Sequence, residues 1–509
     1  MFFMPATLNK SILDPIHGLI KMTEEEKIII SHELFNRLRK IKQNTFLYYV
    51  FPSANHTRFE HSIGVMHLAS EMFINSFYNS SAVKSKQDKY GIKGKSNILD
   101  ADSLQKEEIK TAFLDLRIAA LLHDIGHGPM SHLFDEYAPS NSDFIKMVKN
   151  DSDLHLQDEE LNKKLAKAFE SVLDKKQKME GYVEHEFVSY YFAAILLKDI
   201  NFSSERIKRI LTIMNEELQL ASIYIKINGE NYDIIPLLNQ IVAGAPLDCD
   251  RMDYLLRDSY FTGVKYGIYD LNRLLKSLMP FIDHEGKFVR LGVKKSGLPA
   301  IENFIQARYE LYVQVYFHKT NQACNTMLIH ATRDLKKGTF VNCNNPNEFI
   351  QTYLDLSDEQ FLKLVRDKVE DEDDKETIND LMKRRIWKKI VEIYPEEGRM
   401  RREDIEERIE QVRETIVNQR SSLKSFIKES IISNNPLKDL DKEKAVLLIK
   451  DENEDYMIAS HGNWIQKSVI FKALSSNYLV GRVYLKANTG EEEGKDFYRN
   501  IKQKVQDLL

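Results

Sequence analysis

The sequence predicts a mainly α protein, with a helical core followed by a smaller C-terminal α/β lobe. Three observations carry this expectation. Apolar residues recur at helical spacing through most of residues 30–330. Beyond about Asn345 the composition shifts to acidic turns and highly charged segments. Short β-branched and aromatic runs then cluster between residues 445 and 487. The expected units are a core over residues 1–335, a charged helical extension over 336–440 and a small lobe over 441–509.

Leu34, Leu38 and Ile41 sit at helical spacing before a turn-rich stretch, Tyr48 to Thr57, that carries Pro52 and Asn55. A second helix follows, with Ile63, Met66, Ala69, Phe73 and Phe77 on one face. Residues 79–106, rich in Ser, Lys and Gly, predict a solvated loop. Ala112, Leu116, Ala119 and Ala120 mark an apolar helix that delivers His123 at its C-terminal end, where Gly126, Gly128 and Pro129 break it. Residues 140–182 are charged and expected at the periphery.

Helical signals resume from Glu184 through Ile195, and Leu220 to Gly229 alternates like a small hairpin. Pro246–Tyr260 and Ala300–Thr332 read as helix again. Glu370–Asp374 predicts a solvated acidic turn, and 376–430 charged helices. Strands are expected at Ala445–Ile449, Ser468–Phe471 and Val480–Tyr484, before a last amphipathic helix.

The 509 residues, 43% apolar and 29% charged, are ordinary for a globular protein and sufficient for a deep core. A net charge of -5 argues against a primary nucleic-acid or anionic-membrane surface. Three widely spaced cysteines form no CxxC pair, so neither a disulfide framework nor a zinc knuckle is expected. The apolar start, Met1 to Ala6, is too short for a secretory leader, and no run reaches transmembrane length. The expected compartment is the cytoplasm.

Two short stretches, Arg58-Phe-Glu-His61 and His123-Asp124-Ile-Gly-His127-Gly-Pro-Met-Ser-His132, bring imidazoles and a carboxylate to helix ends. A third, Asp248-Cys-Asp250-Arg-Met-Asp253-Tyr254, adds acids far downstream, with Asp250 the natural fourth ligand. No thiolate is among them, so the set suits Mn, Fe, Ni, Co, Zn or, more weakly, Mg. A metal with open positions lowers the pKa of water toward neutrality, which predicts a metal-dependent hydrolase. Any one of these histidines alone is more often a hydrogen-bonded core residue, and the clustering carries the argument.

Asp250, Tyr254 and Asp258 fall on one helical face that spans about 12 Å, comparable to a nucleotide from phosphate to sugar. Tyr254 is expected to pack on a sugar and Asp258 to accept from its hydroxyl. The alternative makes Asp253, Arg257 and Asp258 a surface ion-pair series. Arg58, Arg251 and Arg308 are available for phosphates, and guanidinium grips phosphate oxygens in a bidentate fork. His185, paired with a carboxylate such as Asp135, could act as a general acid or polarise a phosphate.

Taken together these stretches resemble the HD-domain phosphohydrolases, and most closely the deoxynucleoside triphosphate (dNTP) triphosphohydrolases. The matching text includes Asp14-Pro-Ile-His-Gly18, Phe35 to Gln43, Tyr48 to Pro52, Arg58 to Val65, His123 to Phe134, Glu184-His185-Glu186, Asp248 to Asp258 and Tyr316-Phe-His-Lys319. Weaker likeness runs through Leu356 to Phe361 and Val483 to Lys486. The SAM domain of vertebrate members has no counterpart here.

The resemblance implies a fold with an HD-domain helical core. His61, His123, Asp124 and Asp250 match the metal ligands, and His185 and Asp135 the catalytic His-Asp pair. His132 and His127 match histidines that face the phosphates, with His132 a second candidate for the catalytic proton. Arg58, Arg251 and Arg308 fall where the family grips the triphosphate. Gln43, Tyr254 and Asp258 fall where it meets the deoxyribose.

The implied reaction yields deoxynucleoside and inorganic triphosphate, in a homo-oligomer (dimer or tetramer) that a nucleotide between subunits can activate. Ser31 and Ser296 replace residues of the regulatory site, although Arg39 and Lys294 retain positive charge, which argues against guanine-specific activation. Phe317 replaces a polar residue near the base. The other readings are a different HD phosphohydrolase, acting on monophosphates, cyclic nucleotides or alarmones, and a nucleotide-sensing or nucleic-acid-binding regulator.

Overall fold

A computed structural model describes residues 8–90, 99–151, 158–336, 338–394, 402–419, 427–434, 447–449, 456–458, 468–470, 474, 478–486 and 492–508. It is a mainly helical protein with a smaller sheet-containing C-terminal region. The central element is the Arg58–Tyr90 helix. Glu60 reaches back to accept the Thr57 backbone N–H at 2.9 Å, satisfying a donor at the helix start. Ile63, Met66, Ala69, Phe73 and Phe77 are all buried, as the spacing predicts.

The helix continues to Tyr90, past the start of the loop expected at residue 79. Tertiary bonds explain the difference. Asn79 Nδ2 donates to the Leu275 and Leu278 carbonyls at 2.8 and 2.7 Å, and Ser81 Oγ accepts from Ala101 N at 2.7 Å. Polar side chains that looked solvated are therefore spent inside the fold. Residues 91–98 of the expected loop lie outside the described residues.

Glu107–Leu122 packs against this helix with Asp115 to Leu122 buried throughout, and His123 caps its C-terminus. His185–Asp199 starts after Glu184, and Phe187 to Leu197 is buried on all sides, so it crosses the core. The charged 140–182 stretch forms two amphipathic helices, Asn141–Lys149 and Glu159–Lys175. Their apolar faces extend the core, with Phe144 and Phe169 ring centroids 6.0 Å apart. Cys249–Thr262 is N-capped by Asp248, which accepts from Arg251 N at 2.8 Å, and Gly263 ends it at φ 74°.

Leu298–Leu311 runs into a π-helical turn, Tyr312–Tyr316, before Lys319–Ala331. Such turns free backbone carbonyls and often sit beside functional sites.

A hairpin forms four residues later than expected, Tyr224–Ile227 against Glu230–Asp233, with Asn228 and Gly229 in its tight turn at φ 52° and 87°. It joins Leu278–Asp283 and Phe288–Lys294, and Leu447–Ile449 pairs in parallel with the latter strand. A separate three-stranded sheet orders Lys388–Ile393, Tyr478–Leu485 and Ile427–Asn434 antiparallel. Ile390, Ile405, Ile409, Val412, Val483 and Ile501 bury against one another between this sheet and the Arg402–Gln419 and Glu492–Leu508 helices.

Two expectations are corrected. The 376–430 segment, read as helices, contains the Lys388–Ile393 strand and the start of Ile427–Asn434. Val469 and Ile470 of the expected Ser468–Phe471 strand are helical, and Phe471 lies outside the described residues.

Gly126 fixes how closely the post-helix turn approaches the His185–Asp199 helix. A Cβ there would lie 2.2 Å from Ser189 N and 2.4 Å from the His185 carbonyl oxygen, both backbone atoms that cannot swing away. Gly126→Ala should therefore cost about 1–3 kcal/mol of stability, read as a lower urea midpoint. An unchanged midpoint would show that the two backbones are not in contact.

Candidate active site

Four side chains from three segments meet at the end of the Arg58–Tyr90 helix. His61 lies in that helix's first turn, His123 and Asp124 follow Glu107–Leu122, and Asp250 opens Cys249–Thr262. His61 Nε2 is 3.1 Å from Asp250 Oδ1 and 3.7 Å from Asp124 Oδ2. His123 Nε2 is 3.4 Å from Asp124 Oδ1 and 3.8 Å from Asp250 Oδ1. The geometry thus brings His61, His123, Asp124 and Asp250 to one point.

The chemistry of this point calls for positive charge. Burial opposes a proton on His61, but Asp250 and Asp253 overcome it and raise the pKa to about 10. Burial likewise opposes charge on His123, and Asp124 and Asp250 reverse it. Burial disfavours the Asp124 carboxylate, yet His123, Arg58 and His127 hold its pKa well below the ordinary range. The buried Nε2 atoms of both His61 and His123 have no hydrogen-bond partner among the described residues. Two orphaned imidazole nitrogens beside two carboxylates fit a divalent cation, which would release the protons these histidines otherwise attract.

Below the cluster lies a buried ion network. Asp253 accepts from His61 Nδ1 at 2.9 Å, from His17 Nε2 at 2.7 Å and from Arg257 Nε at 2.7 Å. Arg257 donates onward to Asp14 Oδ2 at 2.8 Å. With Nδ1–H held by Asp253, the His61 lone pair sits on Nε2 and faces the cluster, the usual way a second carboxylate orients an imidazole ligand. Asp253 and Arg257 are fully buried, so the surface ion-pair alternative is corrected. Asp14, His17 and Arg257 went unassigned in the sequence reading. The signal for the last was its position one helical turn after Asp253, but nothing local indicated burial. Gly64 leaves room for the network, since a Cβ there would sit 2.0 Å from Asp253 Oδ1.

Three further imidazoles face one another beside the cluster. His127 stacks on His185 with ring centroids 3.6 Å apart, and His132 lies 5.0 Å from each. His185 Nδ1 bonds Asp135 Oδ2 at 2.9 Å. Burial opposes charge on His185, but Glu186 and Asp135 together raise its pKa above the ordinary histidine value. Burial, with His185 and Arg58 nearby, pushes His132 down to about 4.

The turn carrying these groups is clamped. Met130 and Ser131 hold φ of 60° and 56°, a region costly for residues with a Cβ. Asp358, 228 residues downstream of Met130, accepts Met130 N at 2.7 Å and Lys42 N at 2.9 Å. Arg37 donates to the His127 carbonyl at 2.7 Å, its guanidinium between the Phe192 and Tyr353 rings. The sequence reading assigned no role to Arg37 or Asp358.

A cavity of about 280 Å³ opens beside the clusters, and Gln43, Arg58, His132, Tyr254 and Asp258 line it. Arg58 bonds Asp124 and Ser131, with Nε 2.9 Å from Ser131 Oγ. Asp258 accepts from His56 Nε2 at 2.6 Å and from the Tyr316 hydroxyl, so both of its oxygens are already engaged. Arg251 pairs with Asp248, and the Arg308 guanidinium lies 5.6 Å from the Tyr312 ring centroid. Neither of these two arginines lines the cavity.

If Asp253 sets the His61 tautomer, Asp253→Asn should weaken divalent-metal binding roughly 10–100-fold while the fold persists. Isothermal titration with Mn measures this directly, and unchanged affinity would assign Asp253 to stability alone.

Residues 58–245 match the family model of the HD domain, and residues 269–459 that of the HD associated region. An uncharacterized protein of Methanocaldococcus jannaschii is 33% identical over 63% of this chain and 49% of its own length. The Homo sapiens deoxynucleoside triphosphate triphosphohydrolase SAMHD1 is 27% identical over 78% of this chain and 57% of its own. The alignments thus span about half to three fifths of these relatives. Two crystal structures share the fold: a hypothetical protein from Aquifex aeolicus (TM-score 0.59, 22% identity, 97% of this chain and 99% of that one) and a phosphohydrolase from Bacteroides thetaiotaomicron (0.58, 23%, 94% and 99%). Among the described residues, no helix is long and apolar enough to cross a membrane. The His123-Asp124 doublet falls inside the first matched region and Asp358 inside the second, so the chain carries an HD domain followed by an HD associated region.

Proposed function

We propose that the protein is a divalent-metal-dependent dNTP triphosphohydrolase, releasing deoxynucleoside and inorganic triphosphate. The observation that carries this reading is the adjacency of two clusters, His61–His123–Asp250 with Asp124 beside it and His127–His132–His185, to a cavity walled by Gln43, Arg58 and Tyr254. The likeness to proteins named deoxynucleoside triphosphate triphosphohydrolase supports the substrate class.

A divalent cation (Mn, Mg, Fe, Ni, Co or Zn) held by His61, His123, Asp124 and Asp250 would supply Lewis acidity and a lowered pKa for water. Arg58, with Arg251 and Arg308, neutralises charge on the triphosphate as the bond between the 5′-oxygen and the α-phosphorus breaks. Gln43, Tyr254 and Asp258 position the sugar. His127, kept neutral by burial, Arg58 and His185, donates a hydrogen bond to a phosphate oxygen without adding charge.

The departing 5′-oxygen needs a proton, and the raised pKa of His185 suits it to give one better than His132, although His132 is the one that lines the cavity. Glu186 and Asp135 raise the pKa of His185 above the ordinary histidine value, whereas burial pushes that of His132 down to about 4. Asp135 orients His185 through Nδ1 and leaves Nε2 to act. In this reading the working form is a dimer or tetramer, with a nucleotide at the interface as activator.

Protein supplied with Mn should release triphosphate from at least one dNTP, alone or with a second nucleotide present. His123→Ala and Asp124→Ala should reduce release to background. No release from any dNTP, singly or in pairs, by protein that binds Mn would remove the reading.

The pH profile tests the acid. A protonated His185 is required, so kcat should fall as pH rises through its pKa. Asp135→Asn removes an anion, lowers that pKa and should move the alkaline limb to lower pH. An unmoved limb would assign the proton to another group.

A further inference from the structure

A π-helical turn frees backbone carbonyls, and here part of their supply of donors comes from the far end of the chain. Asn321 Nδ2 and Gln322 Nε2 both donate to the Tyr316 carbonyl at 3.0 Å. The Phe317 carbonyl accepts from Arg482 Nη1, and the Lys319 carbonyl from the Tyr484 hydroxyl at 3.1 Å. Each of these two donors lies 165 residues beyond its acceptor, past both matched regions. Arg482 and Tyr484 are two apart in the Tyr478–Leu485 strand and so share one of its faces. Val483 and Leu485, on the other face, pack with Ile405 and Ile409 in the C-terminal core, whereas Tyr484 joins the main core. Arg482 is buried and also donates through Nε to Glu392 on the neighbouring strand, which fixes its guanidinium at both ends. The strand therefore packs its own lobe with one face and braces a distant turn with the other.

That turn belongs to the cavity wall. Tyr312 and Tyr316 before it, and Asn321, Gln322 and Asn325 after it, all line the cavity. The candidate metal ligands stand on other elements, the Arg58–Tyr90 and Cys249–Thr262 helices and the end of Glu107–Leu122. We propose that Arg482 and Tyr484 are positioning residues through which the C-terminal sheet holds this wall and sets how tightly the cavity binds its nucleotide, independently of the metal. That the occupant is a dNTP rests on the triphosphohydrolase reading. Two helical segments joined by a turn shift together when the turn shifts, so bracing its carbonyls from outside fixes both. A wall already in place spends no binding energy on being ordered by the ligand.

Two substitutions in the full chain, each measured with the four dNTPs and with Mn, test this. Tyr484→Phe removes one hydroxyl and keeps the buried ring. Arg482→Met removes the guanidinium, and Lys389, 2.5 Å from Glu392, still neutralises that carboxylate. Each should weaken dNTP binding roughly tenfold in equilibrium dialysis with EDTA, the effect of one supporting hydrogen bond lost. Mn affinity, read by isothermal titration, should not change. In turnover with Mn the variants should show a raised KM at unchanged kcat, which marks lost uniform binding rather than damaged chemistry. Unchanged dNTP affinity in both variants overturns the proposal. So does a parallel fall in Mn affinity, which would make the two side chains supports of the whole fold. Weaker dNTP binding by the variants of a protein that releases no triphosphate leaves the positioning role standing and removes the hydrolase reading. Triphosphate release with the original KM in both variants does the reverse. No dNTP binding by the unsubstituted protein, with or without Mn, overturns both.

Discussion

A buried carboxylate, Asp253, is the constraint on which the candidate active site depends. It holds His61 Nδ1, His17 Nε2 and Arg257 at once, and Arg257 in turn holds Asp14. The network joins the antiparallel Lys10–Asp14 and Gly18–Met22 hairpin, the Arg58–Tyr90 helix and the Cys249–Thr262 helix. Buried ion pairs add little net stability because desolvation offsets attraction, but removing one partner is costly. The value of this one lies in geometry. It sets the tautomer and rotation of an imidazole whose other nitrogen faces Asp250, and Gly64 is small so that the carboxylate fits beside the helix.

A second constraint acts on the turn after Asp124. Two consecutive left-handed residues, Met130 and Ser131, hold His132 toward His185. Such a turn persists only when surrounded by contacts that fix it. Asp358 fixes its backbone, Thr45 Oγ1 donates to the Met130 carbonyl at 3.1 Å, and Arg37 grips the strand of carbonyls before it. Asp358 lies in the HD associated region, so that region contributes directly to the shape of the site. This coupling gives a physical reason for the two regions to occur in one chain.

Much of the arrangement was legible in the sequence, because helical periodicity and clustered imidazoles are local signals. The helices that bear His61, His123, His185 and Asp250 appear where the apolar spacing put them. What stayed hidden was long-range. Residues 79–90 looked solvated until Asn79 and Ser81 found partners near residues 101 and 275. Lys388–Ile393 is short and bounded by charge, so its pairing with Tyr478–Leu485, far downstream, could not be read locally. Arg257 and Asp253 resemble any exposed i, i+4 ion pair, and burial alone tells them apart. Asp258 was visible as a sugar ligand by resemblance, but its bonds to His56 and Tyr316 required the fold.

The central claim is that four side chains share one divalent ion. Anomalous diffraction from crystals grown with Mn tests it most directly. The account predicts one strong peak within about 2.0–2.3 Å of His61 Nε2, His123 Nε2 and the carboxylates of Asp124 and Asp250. A peak among His127, His132 and His185 instead, or no peak at saturating Mn, would contradict it.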